Sequence, residues 1–326
     1  MKNWARAACV GLGAGLMAVP FAHAADETGA APARSRTVVD VRSDRIILMD
    51  ITRAGDRIVA VGERGVALLS DDGGKTWKAR ETPVTRTLTG VAFSDGKVGV
   101  AVGHGGSVVR TEDGGETWMQ VPLEEVGSDS LLGVVHVGGD RFAAYGAFGL
   151  YLDTSDGGKT WERRMVLAED FDRHISQVVR SGQSLLMVAE SGTLARSDDG
   201  GATWTAIESP YVGSYFGAVV LKDGAVLAFG MRGNVFRSAD LGATWQKVDL
   251  NTTASLNAGR QLEDGRVLLV GNTGLLALSR DDGQTLELHW SPAGRGFAAL
   301  TEVSGSVVLT GESGITVLDP AWLEAR

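Results

Sequence analysis

An eight-residue turn motif recurs along the chain at a nearly constant interval. Its copies follow the pattern Ser/Thr-x-Asp-x-Gly-x-Thr-Trp and end at Trp77, Trp118, Trp161, Trp204, Trp245 and, with leucine in the last place, Leu286. Consecutive copies end 41 to 43 residues apart, and a period of this size is typical of propellers and solenoids. The chain must therefore fold as similar units that pack on their neighbours.

A second repeated element gives the number of units. It is an apolar strand that ends in a small residue, followed by two variable residues and a glycine. Its seven copies begin at Gly62, Gly103, Gly146, Ala189, Gly230, Gly271 and Gly311. Four short antiparallel strands per repeat are typical of a propeller blade. The sequence thus predicts an all-β fold, a seven-bladed β-propeller of about 42-residue Asp-box repeats.

The two ends of the repeat array suggest how the ring closes. The seventh repeat, from Phe297 to Leu318, offers three strands and no box, whereas Thr37–Val41 is a spare strand ahead of the first complete repeat. We predict that this N-terminal strand pairs as the outer strand of the last blade, because closure removes edges that invite aggregation. The predicted propeller spans residues 37–320, and 321–326 form a C-terminal tail.

The repeated box residues have local structural roles. The aspartates can accept backbone N–H bonds within each turn, the glycines allow positive φ, and the tryptophans offer large apolar surfaces to pack against the blades. We assign these positions to structure and not to catalysis: Asp72, Trp77, Asp113, Trp118, Asp156, Trp161, Asp199, Trp204, Asp240, Trp245 and Asp281.

The N-terminus has the features of a secretory signal peptide. Lys2 and Arg6 precede an apolar run that ends in Ala22-His23-Ala24, a small-x-small cleavage pattern. We predict a leader at 1–24, a flexible lead at 25–36, and export to a periplasm or, in a photosynthetic host, to the thylakoid lumen. The single cysteine, Cys9, lies in the leader, so the exported protein is expected to have no disulfide.

Charge and residue spacing argue against several classes of function. The net charge of −9 becomes −11 without Lys2 and Arg6, and such an acidic protein is poorly suited to nucleic acid or anionic lipid. The histidines after the leader show no paired ligand spacing, and the Asp-Gly turns lack the closing glutamate of a calcium loop. We expect neither a metal nor a cofactor.

Antiparallel strand order identifies the face that is free to vary. It places the turns between second and third strands, and the linkers between blades, opposite the boxes. The side chains predicted there as a partner-binding face are Arg45, Arg64, Arg86, His104, Phe148, Arg173, His174, Tyr215, Arg232 and Arg295. Arginines suit carboxylate or phosphate groups of a partner; alternatively, the six arginines pair with Glu63, Asp129, Glu190 and Glu312.

These motifs together resemble the photosystem II stability/assembly factor-like branch of the Asp-box (BNR) repeat proteins. The Gly-x-x-Gly strand turn, the Asp box and the exported seven-bladed ring match over residues 37–318. The resemblance implies a non-enzymatic, chaperone-like or scaffold protein that binds a membrane-protein partner, here in the cell envelope. We expect a monomer that does not itself span a membrane.

Asp boxes also occur in sialidases, so a glycoside hydrolase is the alternative function. Tyr215 with Glu190 could imitate the sialidase nucleophile pair, and Arg45-Ile46-Ile47 resembles an Arg-Ile-Pro strand without its proline. Sialidases have six blades, whereas seven are counted here. We therefore predict an accessory factor and not an enzyme.

Overall fold

The computed structural model describes residues 38–39, 42–43, 45–123, 126–318 and 322. The predicted leader at 1–24 and flexible lead at 25–36 lie outside these residues. Within the part of the chain that the structure describes, no helix has the length and apolar character needed to cross a membrane.

The strands form seven antiparallel sheets, and consecutive strands of the chain build one blade from the axis outwards. The innermost strands of blades one to seven are β2 (Leu48–Ala54), β6 (Leu88–Phe93), β10 (Leu131–Gly138), β14 (Ile175–Ser181), β18 (Tyr215–Val220), β22 (Leu256–Gln261) and β26 (Phe297–Val303). The second strands are β3 (Arg57–Gly62), β7 (Gly99–Gly103), β11 (Arg141–Gly146), β15 (Ser184–Ala189), β19 (Val226–Gly230), β23 (Val267–Gly271) and β27 (Ser306–Gly311).

The third strands are β4 (Val66–Ser70), β8 (Ser107–Thr111), β12 (Tyr151–Thr154), β16 (Leu194–Ser197), β20 (Val235–Ser238), β24 (Leu275–Ser279) and β28 (Gly314–Leu318). Fourth strands complete blades one to six: β5 (Lys78–Glu81), β9 (Met119–Gln120), β13 (Glu162–Arg163), β17 (Thr205–Ile207), β21 (Gln246–Val248) and β25 (Glu287–Trp290). A two-residue strand, β1 (Val38–Val39), precedes them, and single 3-10 turns lie at Glu63–Gly65, His104–Gly106, Ala147–Gly149, Met231–Gly233 and Asn272–Gly274.

The innermost strands arrange the sheets in a ring. Each contacts the innermost strand of the next blade, and β26 of blade seven contacts β2 of blade one. This closed order confirms the predicted all-β, seven-bladed propeller.

The core consists of seven apolar clusters, each between two adjacent blades. Every cluster includes one large side chain that follows the third strand of the later blade, and Trp118 among them is fully buried. From the interface of blades seven and one onwards, these side chains are Trp77, Trp118, Trp161, Trp204, Trp245, Leu286 and Trp322. The box motif thus supplies the inter-blade packing of six interfaces.

Trp322 lies in the predicted C-terminal tail but packs into the propeller. It contacts the cluster between blades six and seven, and its ring centroid lies 5.1 Å from that of His289 at an interplanar angle of 71°. Trp322 therefore occupies the place that a box tryptophan has in blades one to five.

The predicted closure by an N-terminal strand is wrong. Val38 and Val39 pair antiparallel with Arg80 and Ala79 of β5, at the outer edge of blade one, and blade seven keeps three strands. The outer strand of every blade has a free edge, so blade seven was not the only edge available. One hydrogen bond, from Ile315 N to Ser43 O at 2.9 Å, ties the segment before β2 to blade seven.

Side-chain packing closes the ring instead. Leu48 and Ile58 of blade one share a buried cluster with Ala299, Val303 and Val308 of blade seven. Burial of such aliphatic side chains stabilises the seam by the same hydrophobic effect that joins the other blades.

Candidate partner-binding face

The turns and linkers opposite the boxes form one rigid surface, which we call the linker face. It consists of the turns at 63–65, 104–106, 147–149, 190–192, 231–233, 272–274 and 312–314 and the linkers between blades. In blade one, Thr82 donates from N and Oγ1 to Gly65 O at 3.2 and 2.8 Å. A Cβ on Gly65 would overlap Val84 O, and its φ is +67°, so glycine lets the linker lie directly on the turn.

The opposite surface, the box face, contains the six Asp-box turns. Asp72 Oδ1 accepts from the backbone N of Lys75 and Thr76 at 3.1 and 2.9 Å, and Oδ2 accepts from the Thr76 hydroxyl at 2.6 Å. Hydrogen bonds from the Thr76 side chain and backbone lower the pKa of Asp72 to about 2. The aspartate is therefore ionised at neutral pH and is used within its own turn.

Arginines near the box face join neighbouring blades. Arg57 of blade one lies 2.6 Å from Asp71 and 2.9 Å from Glu116 of blade two, and it donates to Gly114 O in the next box at 3.1 Å. Arg141 of blade three donates to Gly200 O of the fourth box at 2.8 Å. These guanidinium groups bind the carbonyls that a tight turn leaves without backbone partners.

The six predicted arginines of the linker face are exposed instead. Within the described residues, five of their guanidinium groups form neither an ion pair nor a hydrogen bond, namely those of Arg45, Arg64, Arg86, Arg232 and Arg295. Arg173 lies 3.7 Å from its neighbour Asp172, with both side chains largely exposed, an arrangement worth little in water.

Three of the four carboxylates that could have neutralised these arginines, all but Asp129, have other partners. Glu63 Oε1 accepts from Ile47 N, and Glu312 Oε2 accepts from Gly296 N, both at 3.3 Å. Glu190 Oε2 accepts from His174 N at 3.1 Å and lies 2.7 Å from His174 Nδ1. These glutamates hold the linkers on the turns, and Arg173 is among the groups that lower the pKa of Glu190.

Four of the six arginines fall in one part of the linker face. Arg295, Arg45, Arg64 and Arg86 belong to blades seven, one and two, and we call this group the basic sector. The linkers 291–296 and 82–87, which carry Arg295 and Arg86, contain no carboxylate. By contrast, Arg173 follows Glu169, Asp170 and Asp172 in the linker 164–174. Arg295 and Arg86 therefore lie in linkers that contain no carboxylate, unlike Arg173.

Apolar side chains are also exposed on this face. Of the six large apolar side chains that the described part of the chain exposes, four belong to linker-face segments, whereas Trp290 ends β25 and Val317 lies on β28. The four and their exposed fractions are Ile47 44 %, Phe148 57 %, Met165 68 % and Val212 91 %. Exposed apolar side chains and arginines on one face are typical of protein-binding surfaces.

His104 and the His174 group contribute aromatic side chains to the same face. His104 is exposed in the turn of blade two. Phe148, in the turn of blade three, packs on His174 with ring centroids 4.9 Å apart. Burial opposes ionisation of Glu190, but hydrogen bonds from His174 outweigh it and lower the pKa of this carboxyl.

Tyr215 is a correction to the predicted face, because it is fully buried. Its hydroxyl lies 3.0 Å from Ser209 Oγ, and burial raises the pKa of the phenol to about 12. Tyr215 begins the inner strand of blade five and packs between blades four and five. The equivalent residues Leu48, Leu88 and Leu131 are also fully buried, and this recurrence was the signal in the sequence that Tyr215 points inwards.

A cavity of about 400 Å³ at the axis is lined by inner-strand residues of six blades and contains polar groups that no motif had indicated. Asp50 Oδ2 of blade one accepts from Val91 N of blade two at 2.8 Å. Gln177 of blade four makes the same link to Ala218 N of blade five at 2.7 Å. Removal of the carboxyl from water raises the pKa of Asp50 to about 6, and hydrogen bonds from the backbone of Val91 and Ile51 oppose this shift.

Comparison with solved structures confirms the fold. A structure described as "YCF48 bound to D1 peptide" has a TM-score of 0.69 at 19% identity, covering 87% of this chain and 96% of that one. YCF48 from Cyanidioschyzon merolae has a TM-score of 0.68 at 17% identity, covering 87% and 98%. The WD40 propeller domain of Doa1 has a TM-score of 0.66 at 11% identity, covering 88% and 95%.

Family models identify the chain more closely than the fold does. A search of curated protein sequences finds no match. A model of the BNR/Asp-box repeat matches residues 68–79, within the first box and its flanking strands. A model described as photosynthesis system II assembly factor YCF48 matches residues 76–303, well over half of the chain. This chain therefore belongs to the photosynthesis system II assembly factor YCF48 family.

Proposed function

We propose that this chain is an exported, non-enzymatic assembly or accessory factor that binds an envelope membrane protein through its linker face. The observation that carries the proposal is the set of exposed arginines whose side chains have no partner among the described residues, on the same face as exposed apolar side chains. Membership of an assembly-factor family supports it, as does a relative described as YCF48 bound to a D1 peptide. The periplasm or thylakoid lumen is the proposed location.

The basic sector is suited to carboxylates of a partner. Arg45, Arg64 and Arg86 need not break an internal ion pair before they bind, so each can donate a bidentate pair of hydrogen bonds to an incoming carboxylate. Ile47, 44 % exposed, lies in the same segment as Arg45 and adds apolar contact. An acidic segment with apolar residues is the partner surface that fits this sector.

The rigidity of the face favours binding. Linker residues are hydrogen-bonded to the turns in several blades, as in Gly149 N to Arg173 O at 2.9 Å and Gly192 N to Gly213 O at 2.8 Å. A surface that is already ordered loses little conformational entropy when a partner docks. This supports a role as a preformed scaffold for a segment of the partner.

The glycosidase alternative finds little support at its candidate nucleophile. Tyr215 is fully buried with its hydroxyl beside Ser209, whereas Glu190 is bound to His174. A sialidase-type tyrosine needs a carboxylate in hydrogen-bonding reach to activate it and an open approach for the sugar. We therefore retain the binding function as the proposal.

Charge reversal tests the proposed face. Purified protein carrying Arg45→Glu, Arg64→Glu and Arg86→Glu is used to capture its partner from detergent-solubilised host membranes, with quantification by mass spectrometry. We expect partner recovery to fall at least about tenfold, because attraction becomes repulsion at three positions. The matched control reverses three exposed lysines of the box side, Lys75, Lys97 and Lys159, and should keep full recovery. Equal recovery with both triple variants would refute the face assignment.

A further inference from the structure

Phe148 stands out among the turn-tip residues of the linker face. It has φ +53° and keeps 57 % of its surface exposed while one side of its ring packs on His174 at 4.9 Å. His174 is in turn fixed by Glu190 Oε2, 2.7 Å from its Nδ1. The result is an aromatic platform whose lower ring is held in place and whose upper ring is open to solvent.

Folding does not explain an aromatic residue at this position. The same place holds Gly105 in blade two, and Arg64, Ser191, Arg232 and Thr273 in four other blades, all at positive φ. The turn therefore forms without an aromatic residue, and glycine adopts its conformation without strain. A bulky side chain at positive φ is strained, and the exposed face of the Phe148 ring gains no burial in return. The ring is better explained by a contact with another molecule.

The surroundings of Phe148 are acidic, unlike those of the basic sector. The linker 164–174 crosses its turn, since Gly149 N donates to Arg173 O at 2.9 Å, and it carries the exposed Glu169, Asp170 and Asp172. Of the two arginines in this linker, Arg173 lies 3.7 Å from Asp172, and Arg164 pairs with Asp153 and Glu162 at 3.1 and 2.7 Å. A cavity of about 380 Å³ beside the turn is lined by Gly149, Met165, Glu169 and Phe171, together with Arg163 and Arg164.

We propose that Phe148, packed at a tilt against His174 beside the linker that carries Glu169, Asp170 and Asp172, is a subsite for an arginine or lysine side chain of the protein partner. A cation over an aromatic face is attracted by the ring quadrupole, and the carboxylates add a favourable field. The subsite rests on the proposed partner-binding function. It adds that the partner carries a basic residue some blades away from the acidic segment that fits the basic sector.

A small probe tests the subsite without the partner. N-acetyl-arginine amide is titrated into protein labelled with ¹⁵N at histidine, and its neutral isostere N-acetyl-citrulline amide serves as the comparison. The His174 ring signals, assigned with a His174→Gln variant, report occupancy of the platform. We expect the arginine probe to shift them and the citrulline probe to bind at least about threefold more weakly.

Two variants separate the ring from its turn. Phe148→Gly removes the ring and suits the positive φ, so it should fold and weaken the arginine probe roughly 3- to 5-fold. Phe148→Tyr keeps an aromatic face and should retain binding, as should Val212→Ala elsewhere on the linker face. Undiminished binding to Phe148→Gly, or equal binding of the citrulline probe, overturns the subsite. Neither result affects the outcome of the basic-sector triple variant, so the two proposals fail separately.

Discussion

The two faces of the ring use arginine in opposite ways. Near the box face, Arg57 and Arg141 bind carboxylates or carbonyls of the next blade, so they contribute to the stability of the ring. On the linker face, Arg45, Arg64 and Arg86 have no such partners within the described residues. The contrast teaches that the function of a residue type in a repeat protein is decided by what the neighbouring blade offers it.

Removal of a large aromatic side chain should give the largest difference in stability between a buried box residue and a residue of the linker face. Trp118 is fully buried in the cluster between blades one and two, and Trp118→Ala should lower the free energy of unfolding by about 3–5 kcal/mol, because it leaves a cavity. Phe148→Gly, on the linker face, should change it by less than about 1 kcal/mol. Urea unfolding followed by tryptophan fluorescence and circular dichroism measures both. Similar losses in the two variants would contradict the division of the faces.

Replacement of arginine by alanine should give a smaller difference in the free energy of unfolding between the two faces. Arg57→Ala leaves Asp71, Glu116 and Gly114 O without their shared donor and should lower the free energy of unfolding by about 1–2 kcal/mol. Arg86→Ala is the matched control on the linker face and should change it by less than about 0.5 kcal/mol. If Arg86→Ala is as destabilising as Arg57→Ala, the arginines of the linker face have a structural role.

The dependence of stability on pH should separate the box face from the axial cavity. The pKa of Asp50 is raised to about 6 from 3.8, so the folded state binds this proton more tightly than the unfolded state does. The stability that results is fully present below about pH 3.8, falls as the pH rises above that value and is lost once the pH has passed about 6. The free energy of unfolding of the wild type should therefore fall by about 1–2 kcal/mol between pH 5 and 8. The variant Asp50→Asn keeps an oxygen to accept from Val91 N and should not show this fall.

Box aspartates have the reverse dependence. The pKa values of Asp72, Asp156, Asp199 and Asp240 are lowered to about 2, so their contribution is present above pH 4 and is lost as the pH falls towards 2. Urea titrations across pH 2 to 8 give both slopes in one series. A wild-type curve that is flat between pH 5 and 8 would contradict the assignment for Asp50.

The smallest expected effect concerns the turn tips. Arg64 has φ +60°, a conformation that costs a non-glycine residue about 1 kcal/mol. Arg64→Gly should therefore raise the free energy of unfolding by about 0.5–1 kcal/mol while it weakens partner capture. A thermal melt and the capture assay together show whether binding and stability oppose each other at this position. A destabilised variant would mean that the Arg64 side chain has a structural partner.

The number of blades could be predicted from the sequence because each blade needs a small residue at the end of its second strand for steric reasons. The position of Gly62 is glycine in six of the seven blades, because a Cβ there would overlap a backbone carbonyl such as that of Ile47, and blade four has the small Ala189 instead. The N-terminal strand was misplaced because strand pairing depends on backbone edges, which are alike in every blade. Backbone hydrogen bonds leave no side-chain pattern to distinguish blade one from blade seven.

Strand order was sufficient to predict which residues lie at the linker face, but it did not predict which way their side chains point. Arg45, Arg86 and Phe148 follow from strand order alone. Tyr215 was assigned to the face because it begins an inner strand, yet the first residue of these strands points into the core. Asp50 and Trp322 lie outside the motifs, since one is in a strand and the other follows an incomplete repeat. Their roles come from contacts with another blade, which no local pattern encodes.

The manner of ring closure has a kinetic consequence. Blades one to seven can form in the order of synthesis, each on the surface left by its predecessor, whereas β26 must find β2 across about 250 residues of chain. Contacts this distant in sequence form late, because the loop entropy is lost before the contact is gained. The seam of Leu48, Val303 and Val308, joined by packing without a shared strand, is therefore expected to be the last interface to form and the first to exchange its amide hydrogens.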